Sequence, residues 1–251
     1  MLEQTLTGHY FLRGLKLLWH PKLRLFTLLP ILVNTVVFIV LFAVAKHYYA
    51  ELVIWLLGHV PHWLLWLKWL LWVIFMLAII VIFAYTFTII ANIIGAPFNG
   101  LLAEKVEALI GSPPPSADMT FAQTLAATPR NIGRALKSLL YFIPRALLCL
   151  ILLFIPLLQS LAPIAWFVLS AWMMSVQYMD YPMDNHHISF HSMLQMLHQK
   201  RVANFSFGST VLLATMIPIL NLVVMPAAVI GATLFWCEQY HSPASTRAIE
   251  N

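Results

Sequence analysis

Charge is scarce in this chain: 9% of its 251 residues are Asp, Glu, Lys or Arg, against about a quarter in an ordinary soluble domain. With 61% hydrophobic residues and a mean hydropathy of +0.85, the composition excludes a soluble globular class and predicts an integral membrane protein throughout. Cysteine is nearly absent. Cys149 and Cys237 both lie in apolar stretches, which argues against a disulfide framework and for small buried hydrophobes. Met1 to Tyr10 has no basic run or small-residue cleavage site, so no removable signal peptide is predicted. Neither GxxxxGKS/T nor a GxGxxG between strand and helix occurs, which excludes work driven by a nucleotide bound to those motifs. No cofactor and no nucleic-acid partner is expected.

What the chain has instead is long apolar runs. Leu25 to Ala45 is a charge-free run of 21 residues between Arg24 and Lys46, suited to one span. Trp69 to Ala103 is charge-free for about 35 residues, and its first proline, Pro97, comes late; one continuous helix is predicted over residues 63–96. Two further runs of about 35 residues, Arg145 to Asp180 and Arg201 to Glu238, are each broken midway by prolines: Pro156 and Pro163 in one, Pro218 and Pro226 in the other. Such a run is too long for one pass and too short for two. Proline removes a backbone donor and clashes one turn back, so each pair predicts a helical hairpin, over residues 146–179 and 202–239. Interrupted helices in corresponding positions point to a polar solute site.

The cations fit that topology. If each hairpin enters and leaves on one side, Arg13, Lys16, Lys22, Arg24, Lys105, Arg130, Arg134, Lys137, Arg145, Lys200, Arg201 and Arg247 share a side and only Lys46 and Lys68 face the other, a split of 12 to 2. With full passes the split is 10 to 4. The positive-inside rule favours the hairpins and puts both termini in the cytoplasm. Residues 5–20 read as an amphipathic interfacial helix, with Phe11, Leu15 and Leu18 opposite His9, Arg13, Lys16 and His20. Then comes His20-Pro21-Lys22-Leu23-Arg24-Leu25, a loop feeding the first span. A helix start with open amides and two cations suits a tetrahedral oxyanion; cations snorkelling at a span's cytoplasmic end fit the same pattern.

Ala91-Asn92, then Gly95-Ala96-Pro97-Phe98-Asn99-Gly100-Leu101-Leu102-Ala103-Glu104, Phe142-Ile143-Pro144-Arg145, Ser170-Ala171-Trp172-Met173, Gln177-Tyr178, Asp180-Tyr181-Pro182, Asp184-Asn185-His186, Met216-Ile217-Pro218-Ile219-Leu220-Asn221 and Met225-Pro226 stand in order along the chain. This series resembles the CysZ sulfate permeases of bacteria, from about His9 to Tyr240. The resemblance implies sulfate uptake across the inner membrane for cysteine synthesis. It also implies two long helices plus two partly penetrating hairpins, and assembly as a homo-oligomer. Relatives commonly carry Gly, a branched aliphatic and two Arg at the first loop, which is associated with sulfate binding. Here those positions read Lys22, Leu23, Arg24 and Leu25, so one Arg is kept, and Lys22 restores the cation count but not the second guanidinium.

The expected fold is therefore an all-α integral membrane protein with two long transmembrane helices, two Pro-broken hairpins, an interfacial helix and a cytoplasmic helical region over residues 104–145. Lys22, Leu23, Arg24 and Leu25 are the candidate sulfate loop. Candidates for the pore or gate are Asn92, Asn99, Glu104, Glu107, Arg130, Arg134, Arg145, Gln159, Asp180, Asp184, His186 and Asn221. The amides offer donors to an anion without trapping it, and the carboxylates offset or gate arginines. Glu104, Glu107, Asp180 and His186 are also the groups suited to proton coupling, with channel-like passage the other reading. Sulfite, thiosulfate and selenate are expected competitors, and membrane lipid a partner. A rival reading comes from His187, His191 and His198, which with Asp180, Asp184 and His186 suggest an intramembrane metal-dependent hydrolase, although HExxH is absent. A membrane scaffold without transport is the other.

Overall fold

The computed structural model describes residues 7–59, 68–111 and 128–240, and every regular element among them is helical. In chain order they are α1 (Gly8–Leu17), α2 (Arg24–Gly58), α3 (Lys68–Leu109), α4 (Thr128–Leu152), α5 (Ala162–Asn185), α6 (Phe190–Gln199), α7 (Arg201–Thr215) and α8 (Pro218–Gln239), with one 3₁₀ turn, Gln159–Leu161, before α5. The start of the span expected at residue 63, most of the 111–127 connection and Arg247 lie outside the described residues.

Residues 28–96 form one compact unit and the flanking segments the other. In the first, Phe38 of α2 meets Phe83 and Phe87 of α3 edge-on, at ring separations of 5.6 and 5.5 Å. Val36, Ile39, Val40, Ile80 and Ile82 face outward, as lipid-facing side chains do.

The second unit has its own core: Leu23 after α1, Leu102 and Val106 of α3, Met179 and Met183 of α5, Phe207 of α7, and Ile230 and Phe235 of α8. Two glycine contacts let backbones touch. A Cβ on Gly14 of α1 would land on the Ala227 carbonyl of α8, and one on Gly208 of α7 on the Ala171 carbonyl of α5. The apolar face of α1 (Tyr10, Phe11, Leu18) is therefore spent on protein, whereas the sequence places it in the headgroup layer. Asn204, fully buried on α7, clasps the helix ends: its amide donates to Leu197 O (2.9 Å) and Tyr240 Oη (2.6 Å), and its oxygen accepts from the Ser175 hydroxyl (3.2 Å).

The proline breaks divide unequally. α4 stops at Leu152, Pro156 lies in the irregular stretch, and Pro163 sits in the first turn of α5. Pro218 opens α8 after an extended Ile217, but Pro226 lies inside that helix and starts nothing. α4 also begins upstream at Thr128 and runs through Pro144, so its 25 residues and the 24 of α5 exceed the half-length arms expected from the charge-free run alone. Among the described residues two stretches, Gly133–Leu152 and Gln159–Asn185, are long and apolar enough to cross a membrane, and the most apolar window of the first is 0% buried. A soluble core helix would be buried, so this exposure favours lipid as the surroundings.

Candidate functional site

At the α1–α2 loop the buried residue is Leu23, at 0% exposure, while Lys22, Arg24 and Leu25 face outward. The Leu23 and Arg24 amides both donate to His20 O (2.9 Å each), and the Thr27 amide and hydroxyl donate back to Leu23 O (3.1 and 3.2 Å). Leu23 thus pins the loop to the core, and the two cations flank the start of α2, where first-turn amides point outward. Neither Lys22 nor Arg24 has an ion-pair partner among the described residues.

Deeper in the same unit lie two polar clusters. Arg134 of α4, 8% exposed, donates from Nε to both oxygens of Asp180 (3.1 and 3.2 Å) and from Nη2 to Asp180 Oδ1. Its Nη1 reaches Asp184 Oδ1 (3.1 Å) and Ile188 O (2.6 Å). Beside it an open cavity of about 510 Å³ is lined by Arg134, Lys137, His187 and Ser189. In the other cluster Glu107 of α3, fully buried, holds Oε2 2.6 Å from Nε2 of His186, and its Oε1 has no hydrogen-bond partner among the described residues. Burial pushes the Glu107 carboxyl up; the bond to His186 pulls it back, and nearby Glu104 pushes it up again. A carboxyl with a net upward shift stabilises the fold below its unfolded pKa, and that contribution is lost as pH rises through the folded value. Glu104 is itself within 3.4 Å of Lys105, whose Nζ stands 6.0 Å from the ring of Phe26 in the first turn of α2.

The structure therefore joins Glu107 to His186, Arg134 to Asp180 and Asp184, and Asn99 to the Tyr181 hydroxyl (3.2 Å). It does not bring Arg145, Gln159 or Asn221 to them. Arg145 lies over the Tyr141 ring at 3.5 Å, and Gln159 and Asn221 are exposed at the two helix breaks. Asn92 is on α3 and Arg130 in the first turn of α4; their side chains lie outside the description. Lys105, Tyr181 and Asn185, which bonds Gly100 O at 3.0 Å, are the partners the sequence reading did not assign to the site. Of these, only the Asp180-Tyr181-Pro182 and Asp184-Asn185-His186 motifs gave a signal. The histidines of the metal reading separate: His191 Nε2 meets Gln195 at 3.1 Å, and His198 packs on Trp172 and meets Leu194 O at 2.7 Å. No group of three ligating side chains suited to a metal occurs among the described residues.

A sequence model described as "Sulfate transporter CysZ/Etoposide-induced protein 2.4" matches residues 10–226. The chain belongs to this family. Its CysZ relatives match along nearly their whole length. A protein named Sulfate transporter CysZ from Pseudomonas aeruginosa (strain LESB58) is 45% identical over 235 residues, 93% of this chain and 96% of its own. Those of the same name from Pseudomonas syringae pv. tomato and Pectobacterium atrosepticum are 45% identical (95% of each chain) and 43% identical (97% of this chain, 89% of theirs). These CysZ relatives carry the name of a transporter and not of an enzyme, which leaves the hydrolase reading without support.

Proposed function

We propose that the chain is a sulfate transporter of the bacterial inner membrane, supplying sulfate for cysteine synthesis without hydrolysing ATP, with Arg24 as its principal anion contact. The observation that carries this reading is the α1–α2 loop, which presents Lys22 and Arg24 at a helix start without ion partners among the described residues, in a chain nearly coextensive with relatives named sulfate transporters. Arg24 presents a donor fork that an oxyanion fills and chloride does not, so sulfite, thiosulfate and selenate compete and chloride competes poorly. The protein works as a homo-oligomer in lipid, with both termini in the cytoplasm.

Arg24→Ala weakens sulfate binding by about 1.5–3 kcal/mol, roughly 10- to 150-fold, the worth of a charge-assisted hydrogen bond. Lys22→Ala costs less, because an ammonium on a flexible stem matches a tetrahedral oxyanion less well. Equilibrium binding of labelled sulfate to the purified variants checks both, and wild-type affinity in R24A refutes the site. Orientation has its own test. In a background lacking Cys149 and Cys237, cysteines at Ser138 and Ser189 resist an impermeant thiol reagent in intact cells and react after permeabilisation. Labelling of Ser189→Cys alone from outside means that the α4–α5 segment crosses the membrane an odd number of times.

A further inference from the structure

The open cavity beside Arg134 lies where both membrane-length stretches meet their polar ends. Gly133 opens the first stretch and Asn185 closes the second; Gly133, Arg134 and Lys137 line the cavity from one side, and residues 187 to 190 from just beyond the other. That is headgroup depth. The charged and titratable groups in its wall are Arg134, Lys137 and His187, with no carboxylate among the described residues; Asp180 and Asp184, which hold Arg134, are not part of that wall. Lys137 is exposed and has no ion pair among the described residues. Phe190 opens α6, so a first-turn amide without a partner inside its own helix adds a donor at the cavity wall. His187 reaches that wall through an unusual turn, with φ at +58°, which side chains rarely adopt. The turn is fixed by Ile188, whose amide donates to Met183 O (3.0 Å) and whose carbonyl accepts from Arg134 Nη1 (2.6 Å).

We propose that this cavity binds the phosphate headgroup of one anionic phospholipid, held by Lys137 and His187, with the acyl chains lying along α4. Gly133, Lys137, Leu140, Pro144 and Leu147 fall on one face of that helix, and Leu140, Leu147 and the neighbouring Leu148 are exposed. The cations are therefore at one end of an apolar track. A Cβ on Gly133 would meet nothing within 4 Å, so the track opens into the cavity unobstructed. The volume, about 510 Å³, falls within the roughly 300–1,000 Å³ of small-molecule sites, and basic pockets between membrane helices take such headgroups. Free phosphate or sulfate offers the same oxygens but no chains for the track. The site shares no residue with the α1–α2 loop, so it stands or falls apart from the sulfate reading.

The test is native mass spectrometry of the purified full chain in detergent, titrated with phosphatidylglycerol and, separately, with phosphatidylcholine of the same acyl chains. The expected result is one phosphatidylglycerol per chain, preferred over phosphatidylcholine by about fivefold or more, the worth of one cation near an anionic membrane surface. K137Q lowers the phosphatidylglycerol affinity by about fivefold. H187G lowers it too, while its melting point stays at or above that of wild type, because glycine adopts the positive φ without strain. K16Q, which removes an exposed lysine on α1, leaves the affinity unchanged. Equal affinity for the two lipids, undiminished binding by K137Q, or the same loss in K16Q as in K137Q overturns the proposal. So does displacement of phosphatidylglycerol by millimolar inorganic phosphate, since the cavity is then a site for soluble anions. Sulfate binding by wild type is untouched by any of these outcomes.

Discussion

Arg134→Ala destabilises the protein by about 3–5 kcal/mol, the usual cost of removing one member of a buried ion pair. The guanidinium is 8% exposed and holds Asp180 through Nε and Nη2, Asp184 and Ile188 O through Nη1. Asp180 and Asp184 are four apart on α5 and so share a helix face. Without Arg134 two carboxylates face each other and the Ile188 carbonyl loses its donor. Thermal unfolding in detergent, followed by size-exclusion recovery, reads the loss. The triple variant R134A/D180N/D184N recovers part of it, because the two carboxylates that lose the guanidinium are also neutralised. Arg134→Lys falls between, since one ammonium cannot serve both carboxylates in the same geometry. A melting point for R134A within about one degree of wild type is incompatible with this cluster.

Gly208→Val leaves no monodisperse protein. A Cβ at that position overlaps the Ala171 carbonyl oxygen, lies 2.9 Å from its carbon and 3.0 Å from the Ser175 amide nitrogen, all of them backbone that cannot rotate aside. The α5–α7 contact has to open, and with it goes the Ser175–Asn204 hydrogen bond. Overpacking of this kind costs more than the 1–3 kcal/mol typical where side chains can shift. Gly133→Ala is the control. Nothing lies within 4 Å of a Cβ there, and alanine in a helix interior gains about 0.5–1 kcal/mol over glycine. Expression as a fluorescent fusion and its elution profile separate the two variants.

The helix start at Pro163 is legible in the sequence because proline is tolerated in a helix's first turn, where no intrahelical donor is needed; the start at Pro218, where the spacing predicts a helix end and a restart at Pro226, is not. Nor is the passage of helices through Pro97, Pro144 and Pro226. A proline inside a helix forfeits a bond, and only tertiary packing outweighs that. Leu101, Leu102 and Val106 supply such packing beyond Pro97, and Ala227 to Leu234 beyond Pro226. No local pattern announces either. At the site, Asp180, Asp184 and His186 stand out as charges beside apolar helices, but which cation or carboxylate each meets depends on pairings 46 and 79 residues distant. What covers the apolar face of α1 is not legible for a related reason. An amphipathic pattern records that one face is apolar, not whether lipid or protein covers it.

Tyr10 of α1 donates to Glu238 of α8 across 228 residues, and the Gly14 contact on Ala227 spans nearly the same distance along the chain. A ribosome therefore finishes the docking surface for α1 only after almost all the intervening sequence has been made. At about 5–20 residues per second, the apolar face of α1 waits some ten to fifty seconds for its protein partner. Through that interval α8 is not there to cover it. The α1–α8 contact, which holds both ends of the chain together, is therefore among the last to close as the protein is made.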